Sequence, residues 1–270
     1  METTVITSMQ NTKVKQLLAL QQKSSERRKT GLFVVEGLRE LEHCVEAGYQ
    51  IDSVYHCPAL HQGDRLHGME QQLQQDDATM IEVSADVYGK IAYRGSTEGV
   101  VATVKARQLT LNDLRLSAQP LLMIVESVEK PGNLGAILRS ADAAGADAVI
   151  VCDPLTDLYN PNLIRASVGA FFSVPTVACT SESCIAFLKA HGIRILTAQL
   201  QDSELYYDTD MRQATAFVMG TESTGLTQQW RQAADAHIRI PMLGRIDSLN
   251  VSVSAAILLF EAVRQRKIKN

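Results

Sequence analysis

The sequence lacks the features that mark membrane and secreted proteins. No stretch approaches the roughly 18 apolar residues of a membrane span. The N-terminal METTVITSMQ also lacks the basic residues followed by an apolar run that a signal peptide shows. We therefore expect a cytoplasmic protein.

Sequence motifs for metal binding are also missing. The five cysteines are odd in number, scattered and without a CxxC pair: Cys44, Cys57, Cys152, Cys179 and Cys184. The sequence therefore indicates neither a disulfide framework nor a zinc site, and we expect most of these cysteines to be small buried apolar residues. The six histidines show neither HxxxH nor HExxH spacing. No metal site is predicted.

A net charge of −4 argues against a protein coated in positive charge, but the chain has a local basic patch near its start. Between Asn11 and Thr30, Glu26 is the lone acidic residue among lysines and arginines. A solvated helix face explains such a run, and so does a surface that neutralises RNA phosphates. The candidates for RNA binding are Lys13, Lys15, Arg27, Arg28 and Lys29.

The chain of 270 residues, 46% of them hydrophobic, is long enough to form two domains with their own cores. The helix and strand patterns of residues 1–106 predict a compact α/β unit, and the polar stretch 107–119 is a predicted linker. In residues 120–270, short apolar strands alternate with helices, which predicts a mostly parallel sheet covered by helices on both faces. Sites in such sheets lie at the carboxyl ends of the strands.

Three stretches of the second domain follow predicted strands. They are ESVEKPGNLGAILRSADAAG (126–145), FVMGTESTG (217–225) and IPMLGRIDSLNVSVSAAILLFEAVRQR (240–266). The first contains no GxGxxG dinucleotide fingerprint, and the chain contains no GxSxG nucleophile elbow. The helix that ends the third is apolar on nearly every side. We expect it to be buried all round, against its own sheet and a further surface such as a second subunit.

In this order, the three stretches resemble the motifs of the SpoU/TrmH family of RNA ribose 2′-O-methyltransferases, within the SPOUT class. The resemblance implies a C-terminal SPOUT-type α/β domain with a deep trefoil knot that forms a homodimer. It also implies, more loosely, a preceding small α/β RNA-binding domain that resembles a ribosomal protein. The implied reaction transfers a methyl group from S-adenosylmethionine to a ribose 2′-hydroxyl and leaves S-adenosylhomocysteine.

The resemblance also implies site residues. The catalytic cluster would contain Asn133, Arg139, Glu222, Ser248 and Asn250. The cofactor would contact Thr197, Ala198, Gly220, Ile240, Met242 and Leu249. Because an arginine stays charged, the workable role of Arg139 is to pair with the phosphate beside the target ribose and to stabilise alkoxide character on the attacking oxygen. Methyl transfer from a sulfonium requires no metal.

The resemblance does not identify the RNA or the nucleotide. The N-terminal domain favours 23S rRNA, and a tRNA 2′-O-methyltransferase is the alternative substrate assignment. A catalytically inactive RNA-binding module of the same fold is a further alternative, although the five expected catalytic residues are all present in the chain. An unrelated α/β nucleotide-binding enzyme or a serine hydrolase is less favoured, the latter because the GxSxG elbow is missing.

Overall fold

The computed structural model describes residues 5–60, 66–92, 98–221 and 224–267. The chain forms two compact units. The first consists of Met1–Arg107 and Tyr159–Phe172, and the second of Gln108–Leu158 and Ser173–Asn270. The segment Tyr159–Phe172 therefore belongs with the first unit, although its position in the sequence placed it in the second predicted domain.

Helices and strands alternate along most of the chain. The helices are α1 (Thr12–Gln22), α2 (Ser24–Thr30), α3 (Leu38–Glu46), α4 (Glu70–Gln75), α5 (Ala85–Ile91), α6 (Pro131–Ala144), α7 (Pro161–Ser167), α8 (Ala170–Ser173), α9 (Ser181–Ala190), α10 (Gln228–Ala233) and α11 (Val251–Lys267). The strands are β1 (Leu32–Glu36), β2 (Ile51–His56), β3 (Thr79–Glu82), β4 (Val100–Lys105), β5 (Leu121–Glu126), β6 (Ala148–Cys152), β7 (Thr176–Cys179), β8 (Arg194–Ala198), β9 (Glu204–Leu205), β10 (Thr215–Met219) and β11 (Ala236–Arg239). Within the described ranges, no helix is both long and apolar enough to cross a membrane.

The first unit is built on a four-stranded sheet of order β1-β4-β2-β3. Strand β4 runs antiparallel to β1 and β2, whereas β2 and β3 are parallel. Helix α1 packs on the sheet through Val14, Leu17 and Leu20, which are fully buried and recur every three residues. The first unit therefore has a sheet with a helix packed on it.

Arg27 corrects one part of the basic-patch prediction. Its side chain is 6% exposed, and its guanidinium donates to the carbonyl oxygens of Leu20 at 2.5 Å and Gln21 at 3.4 Å. These carbonyls belong to the last turn of α1, where they have no partner within the helix. Arg27 therefore serves the fold of the first unit, whereas Lys13 and Arg28 are exposed.

The second unit is built on a seven-stranded sheet of order β7-β6-β5-β10-β8-β11-β9, and every pair in it is parallel. The expected parallel α/β architecture is confirmed. Strand β7 begins only at Thr176, because α8 extends to Ser173 and Pro175 follows. Strand β9 was not predicted, since its two residues are too few to show an alternating pattern.

The final helix, α11, is buried along one stripe in the single chain. Helix α11 begins at Val251, and the residue that caps it is Asn250, whose side-chain oxygen accepts from the Ser252 backbone at 2.9 Å. One stripe of the helix is buried: Val251, Ala255, Leu258, Leu259 and Ala262. Val253 and Phe260 are each 47% exposed, so the single chain covers only part of the helix, and burial on its other side stays a prediction that requires a further surface. The helix packs against α6, β5 and β10, which cover only part of its surface.

A buried polar network joins β5 to α9 and α10. Glu126, at the end of β5, is 3% exposed and accepts from the Thr227 backbone at 2.9 Å and from the Thr227 hydroxyl at 2.7 Å. The Ser181 hydroxyl donates to Asp153 at 2.6 Å and accepts from the Trp230 indole at 2.9 Å. Because buried polar groups are costly unless paired, this network holds the first turns of two helices at the sheet edge.

Replacing Glu126 with alanine tests this network. The Glu126→Ala variant loses two charge-assisted hydrogen bonds and leaves the Thr227 donors unsatisfied, which we expect to lower the free energy of unfolding by about 2–4 kcal/mol. Urea denaturation measures the change. The control is Glu129→Ala, three residues along and exposed, which should change stability by less than about 0.5 kcal/mol. Equal effects of the two substitutions would contradict the assigned role.

Candidate functional site

The second unit contains a cavity of about 350 Å³ at the carboxyl ends of β8, β10 and β11. Its walls come from the loop after β8, the loop after β10 and the long loop that joins β11 to α11. Ser254 and Leu258 of α11 complete the lining. The cavity therefore lies where the parallel-sheet rule places ligand sites.

Most of the predicted cofactor residues line this cavity. They are Ala198, Gly220, Ile240, Met242 and Leu249. Thr197 does not line it, because its side chain is fully buried between β8 and β11 and shares a 2.6 Å hydrogen bond with the His237 ring. Thr197 was therefore assigned wrongly, since side chains of successive strand residues point to opposite faces.

Gly220 occupies the tightest position in the cavity wall. A Cβ atom at Gly220 would lie 2.2 Å from the carbonyl carbon of Gly225. Thr221 and Gly225 exchange backbone hydrogen bonds of 3.3 and 3.1 Å, and Gly225 has a positive φ of 67° that suits glycine. The two glycines of this motif thus allow a backbone contact that closes the loop, and the closed loop forms the wall.

Two polar side chains of the cavity were not predicted. Gln199 Oε1 and Arg231 Nε are both buried, and neither has a hydrogen-bond partner within the part of the chain that the structure describes. Gln199 directly follows β8, so the strand-end rule could have found it. Arg231 lies on α10, and an arginine on a helix carries no sequence signal that separates it from a surface residue. Buried polar atoms of this kind are rare and indicate that the cavity takes a polar ligand.

A second cavity of about 170 Å³ adjoins the first. It is lined by Val128, Glu129, Lys130, Asn133, Gly220, Thr221 and Val251. Gly220, Thr221 and Val251 line both cavities. The loop after β10 and the start of α11 therefore form a wall common to two neighbouring spaces.

Two of the predicted catalytic residues are in direct contact. The Asn250 side chain donates to the Asn133 side-chain oxygen at 3.2 Å, across 117 residues of sequence. Asn133 lines the second cavity, and Ser248 lines the first. The Ser248 hydroxyl is exposed and donates to Asp247 at 3.3 Å. The motifs at residues 126–145 and 240–266 thus meet where the two cavities adjoin.

The other two predicted catalytic residues are Arg139 and Glu222. Arg139 is exposed on α6 and is absent from the lining of both cavities. It forms neither a hydrogen bond nor an ion pair with any residue among those described. Glu222 lies outside the described residues.

Comparisons with known proteins agree with this arrangement. The model of the SpoU rRNA Methylase family matches residues 120–260, and that of the MRM3-like substrate binding domain matches residues 11–102. The 23S rRNA (guanosine-2′-O-)-methyltransferase RlmB of Vibrio vulnificus is 37% identical over 211 residues, which cover 76% of this chain and 85% of that protein. RlmP of Bacillus subtilis, named as a 23S rRNA (guanosine(2553)-2′-O)-methyltransferase, is 29% identical over 94% of this chain and 97% of its own.

The solved structures include a close match in fold. The AdoMet-bound rRNA methyltransferase from Sinorhizobium meliloti superposes with a TM-score of 0.89 at 29% identity, covering 97% of each chain. The family model spans more than half of the sequence and includes the first two motifs that carried the resemblance and most of the third. The chain accordingly belongs to the SpoU rRNA methylase family.

Proposed function

We propose that this protein transfers a methyl group from S-adenosylmethionine to a ribose 2′-hydroxyl of 23S rRNA. Membership of the family confirms the enzyme class and the cofactor that the sequence motifs implied. The choice of 23S rRNA is supported by the names of the relatives from Vibrio vulnificus and Bacillus subtilis. The observation that carries the proposal is the pair of adjoining cavities, with the Asn133–Asn250 contact between the motifs that flank them.

The larger cavity fits the cofactor in both size and chemistry. Its apolar lining, which includes Ile240, Met242 and Leu249, suits a purine ring. The Gln199 oxygen accepts hydrogen bonds and therefore suits an amino or hydroxyl group. The Arg231 guanidinium is a donor with a fixed positive charge and suits the α-carboxylate of the methionine moiety. Gln199 and Arg231 are therefore the side chains of the lining that would pair with polar groups of the cofactor.

The smaller cavity would receive the target ribose. When bound, S-adenosylmethionine would supply the methyl group to the ribose oxygen, S-adenosylhomocysteine would be left as the carbon–sulfur bond breaks, and the hydroxyl proton would be released to solvent. Asn133 and Asn250 would orient the hydroxyl, and Arg139 would pair with the adjacent phosphate and stabilise the negative charge that develops on the oxygen. The enclosed walls would exclude water from the reacting atoms.

We propose residues 1–106 as the substrate RNA-binding domain, 107–119 as the linker and 120–270 as the catalytic domain. The match of residues 11–102 to a substrate binding domain supports the first assignment. Lys13, Lys15, Arg28 and Lys29 are exposed on the first two helices and would neutralise RNA phosphates. We also propose a cytoplasmic location, where the protein would have access to ribosomal RNA.

The knot and the homodimer implied by the family resemblance are also proposals. The knot is supported by the path of the chain, since α11 follows β11 but packs against α6, β5 and β10. The homodimer is supported by the outer surface of α11. Val253 and Phe260 are separated by two helical turns there and are half exposed, and a second copy would cover both.

Charge on this outer surface tests the homodimer. The double variant Val253→Lys, Phe260→Lys should sediment as a monomer at concentrations at which the parent chain is a dimer, because two lysines would have to be desolvated in the interface. Arg264→Lys, on the same helix, keeps the charge of an exposed position and should sediment as a dimer, as the parent chain does. A parent chain that sediments as a monomer would refute the dimer.

Removal of Arg139 tests the reaction. Ribose-methylation mapping of total RNA should show one 23S rRNA site that is lost in cells without this protein and stays unmethylated when Arg139→Ala is supplied. In vitro, the variant should methylate about 100- to 1,000-fold more slowly, since it lacks one group that stabilises developing charge. Its affinity for S-adenosylhomocysteine should be unchanged.

The control is Arg115→Ala, which removes an exposed arginine from the linker. It should restore methylation at that site. A site in tRNA would replace the substrate assignment, and no altered site would favour the inactive RNA-binding module. Full activity of Arg139→Ala would exclude its catalytic role.

Arg231→Gln tests the orientation of the cofactor. If the guanidinium binds the α-carboxylate, the variant should bind S-adenosylhomocysteine about 10- to 100-fold more weakly, as expected for a lost hydrogen bond to a charged group. It should bind 5′-methylthioadenosine, which lacks the amino-acid portion, as tightly as the parent does. Calorimetry measures both affinities.

Arg245→Gln, in the exposed part of the loop after β11, is the matched control and should change neither affinity. Equal weakening for both ligands would make Arg231 a structural residue of the cavity. Failure of the parent chain to bind S-adenosylhomocysteine would contradict the cofactor site itself.

A further inference from the structure

Three cysteines that are distant in the sequence meet in the second unit. The sulfur atoms of Cys152, Cys179 and Cys184 all lie within 4.8 Å of one another. Cys152 and Cys179 are the last residues of β6 and β7 and lie opposite each other in the parallel register. Cys184 comes from the first turns of α9, and all three are free thiols. The cluster therefore links two strands and a helix at the carboxyl edge of the sheet.

The dimensions of this cluster suit a metal ion. Zinc binds thiolates at about 2.3 Å, so the sulfur atoms of a tetrahedral site lie about 3.8 Å apart. The three sulfur atoms lie within 4.8 Å of one another, about 1 Å above that separation at most. Cys152 and Cys184 are fully buried, whereas Cys179 is partly exposed. An ion would reach the cluster from the Cys179 side, where a solvent molecule can occupy the fourth position.

A carboxylate lies next to the cluster in the sequence. Asp153 follows Cys152 directly, and Ser181, three residues before Cys184, holds the Asp153 carboxylate in place with a hydrogen bond of 2.6 Å. This carboxylate would attract a divalent ion bound by the three sulfur atoms.

We propose that Cys152, Cys179 and Cys184 form a binding site for a soft divalent metal ion, with zinc as the expected occupant. As each sulfur–metal bond forms, a thiol that is still protonated releases its proton to solvent, and no electrons are transferred. The bound ion cross-links β6, β7 and α9. Soft thiolate ligands select zinc over magnesium and calcium, which prefer oxygen.

The competing explanation is that these cysteines are ordinary apolar residues of the core. The full chain, reduced and freed of metal with a chelator, distinguishes the two when it is titrated with Cd²⁺ or Zn²⁺ alone. We expect one ion per chain, an ultraviolet thiolate-to-cadmium absorption band, and slower alkylation of the partly exposed Cys179 when the metal is present. Zinc should also raise the melting temperature of the parent chain.

The test variant is Cys179→Ser, which replaces the partly exposed ligand. It should bind cadmium at least 100-fold more weakly and should lose the melting-temperature increase with zinc. Cys57→Ser, which replaces a buried cysteine of the first unit, is the matched control and should keep both properties.

Absence of a stoichiometric cadmium band in the parent chain would overturn the proposal, as would equal loss of binding in Cys57→Ser. If Cys179→Ser fails to fold, as judged by circular dichroism, the alkylation pattern of the parent chain decides. Slower alkylation of the partly exposed Cys179 in the presence of zinc supports the site, and an alkylation rate of Cys179 that zinc does not change refutes it.

Discussion

The backbone contact between Gly220 and Gly225 is the constraint on which the site of this protein depends. No side chain fits at Gly220, since its Cβ would lie 2.2 Å from the Gly225 carbonyl carbon. Because the loop closes on itself here, one thin wall separates two cavities. A methyl donor and an acceptor must approach to within about 3.5 Å before reaction, which a wall built of larger residues would prevent. The glycines are therefore required by the geometry of the loop. The loop, in turn, shapes the space for the ligand.

The parallel sheet brings the chemistry of the second unit to one edge. Every strand pair in it is parallel, so the loops that follow the strands emerge on the same side. The larger cavity, the Asn133–Asn250 contact, the Glu126 network and the three-cysteine cluster all lie at strand ends or in the helices that follow them. Glu126 pairs in register with Cys152 and also binds the first turn of α10, the helix that carries Arg231. The fold thus places several polar groups close together without burying them in the centre of the sheet.

Three arginines show why residue type alone does not assign a role. Arg27 belongs to a basic run that resembles an RNA-binding surface, but its guanidinium is buried against the last turn of α1. Arg139 belongs to a recognisable motif and is exposed. Arg231 has no motif that marks it, but its buried Nε atom lies in the lining of the larger cavity. The role of each arginine depends on the residues that surround it in the fold, and those residues are remote in the sequence.

Local patterns in the sequence determined the parallel architecture, the family and five of the residues that line the larger cavity. Strand and helix periodicity and glycine positions are properties of short segments, so they can be recognised without knowledge of the fold. The tertiary structure alone decided that Thr197 faces away from the cavity, that α11 keeps an exposed face and that three scattered cysteines form a cluster. These features depend on side-chain direction and on contacts between segments far apart in the chain. No spacing rule along the sequence records such contacts, because they exist only after the sheet has brought its strand ends together.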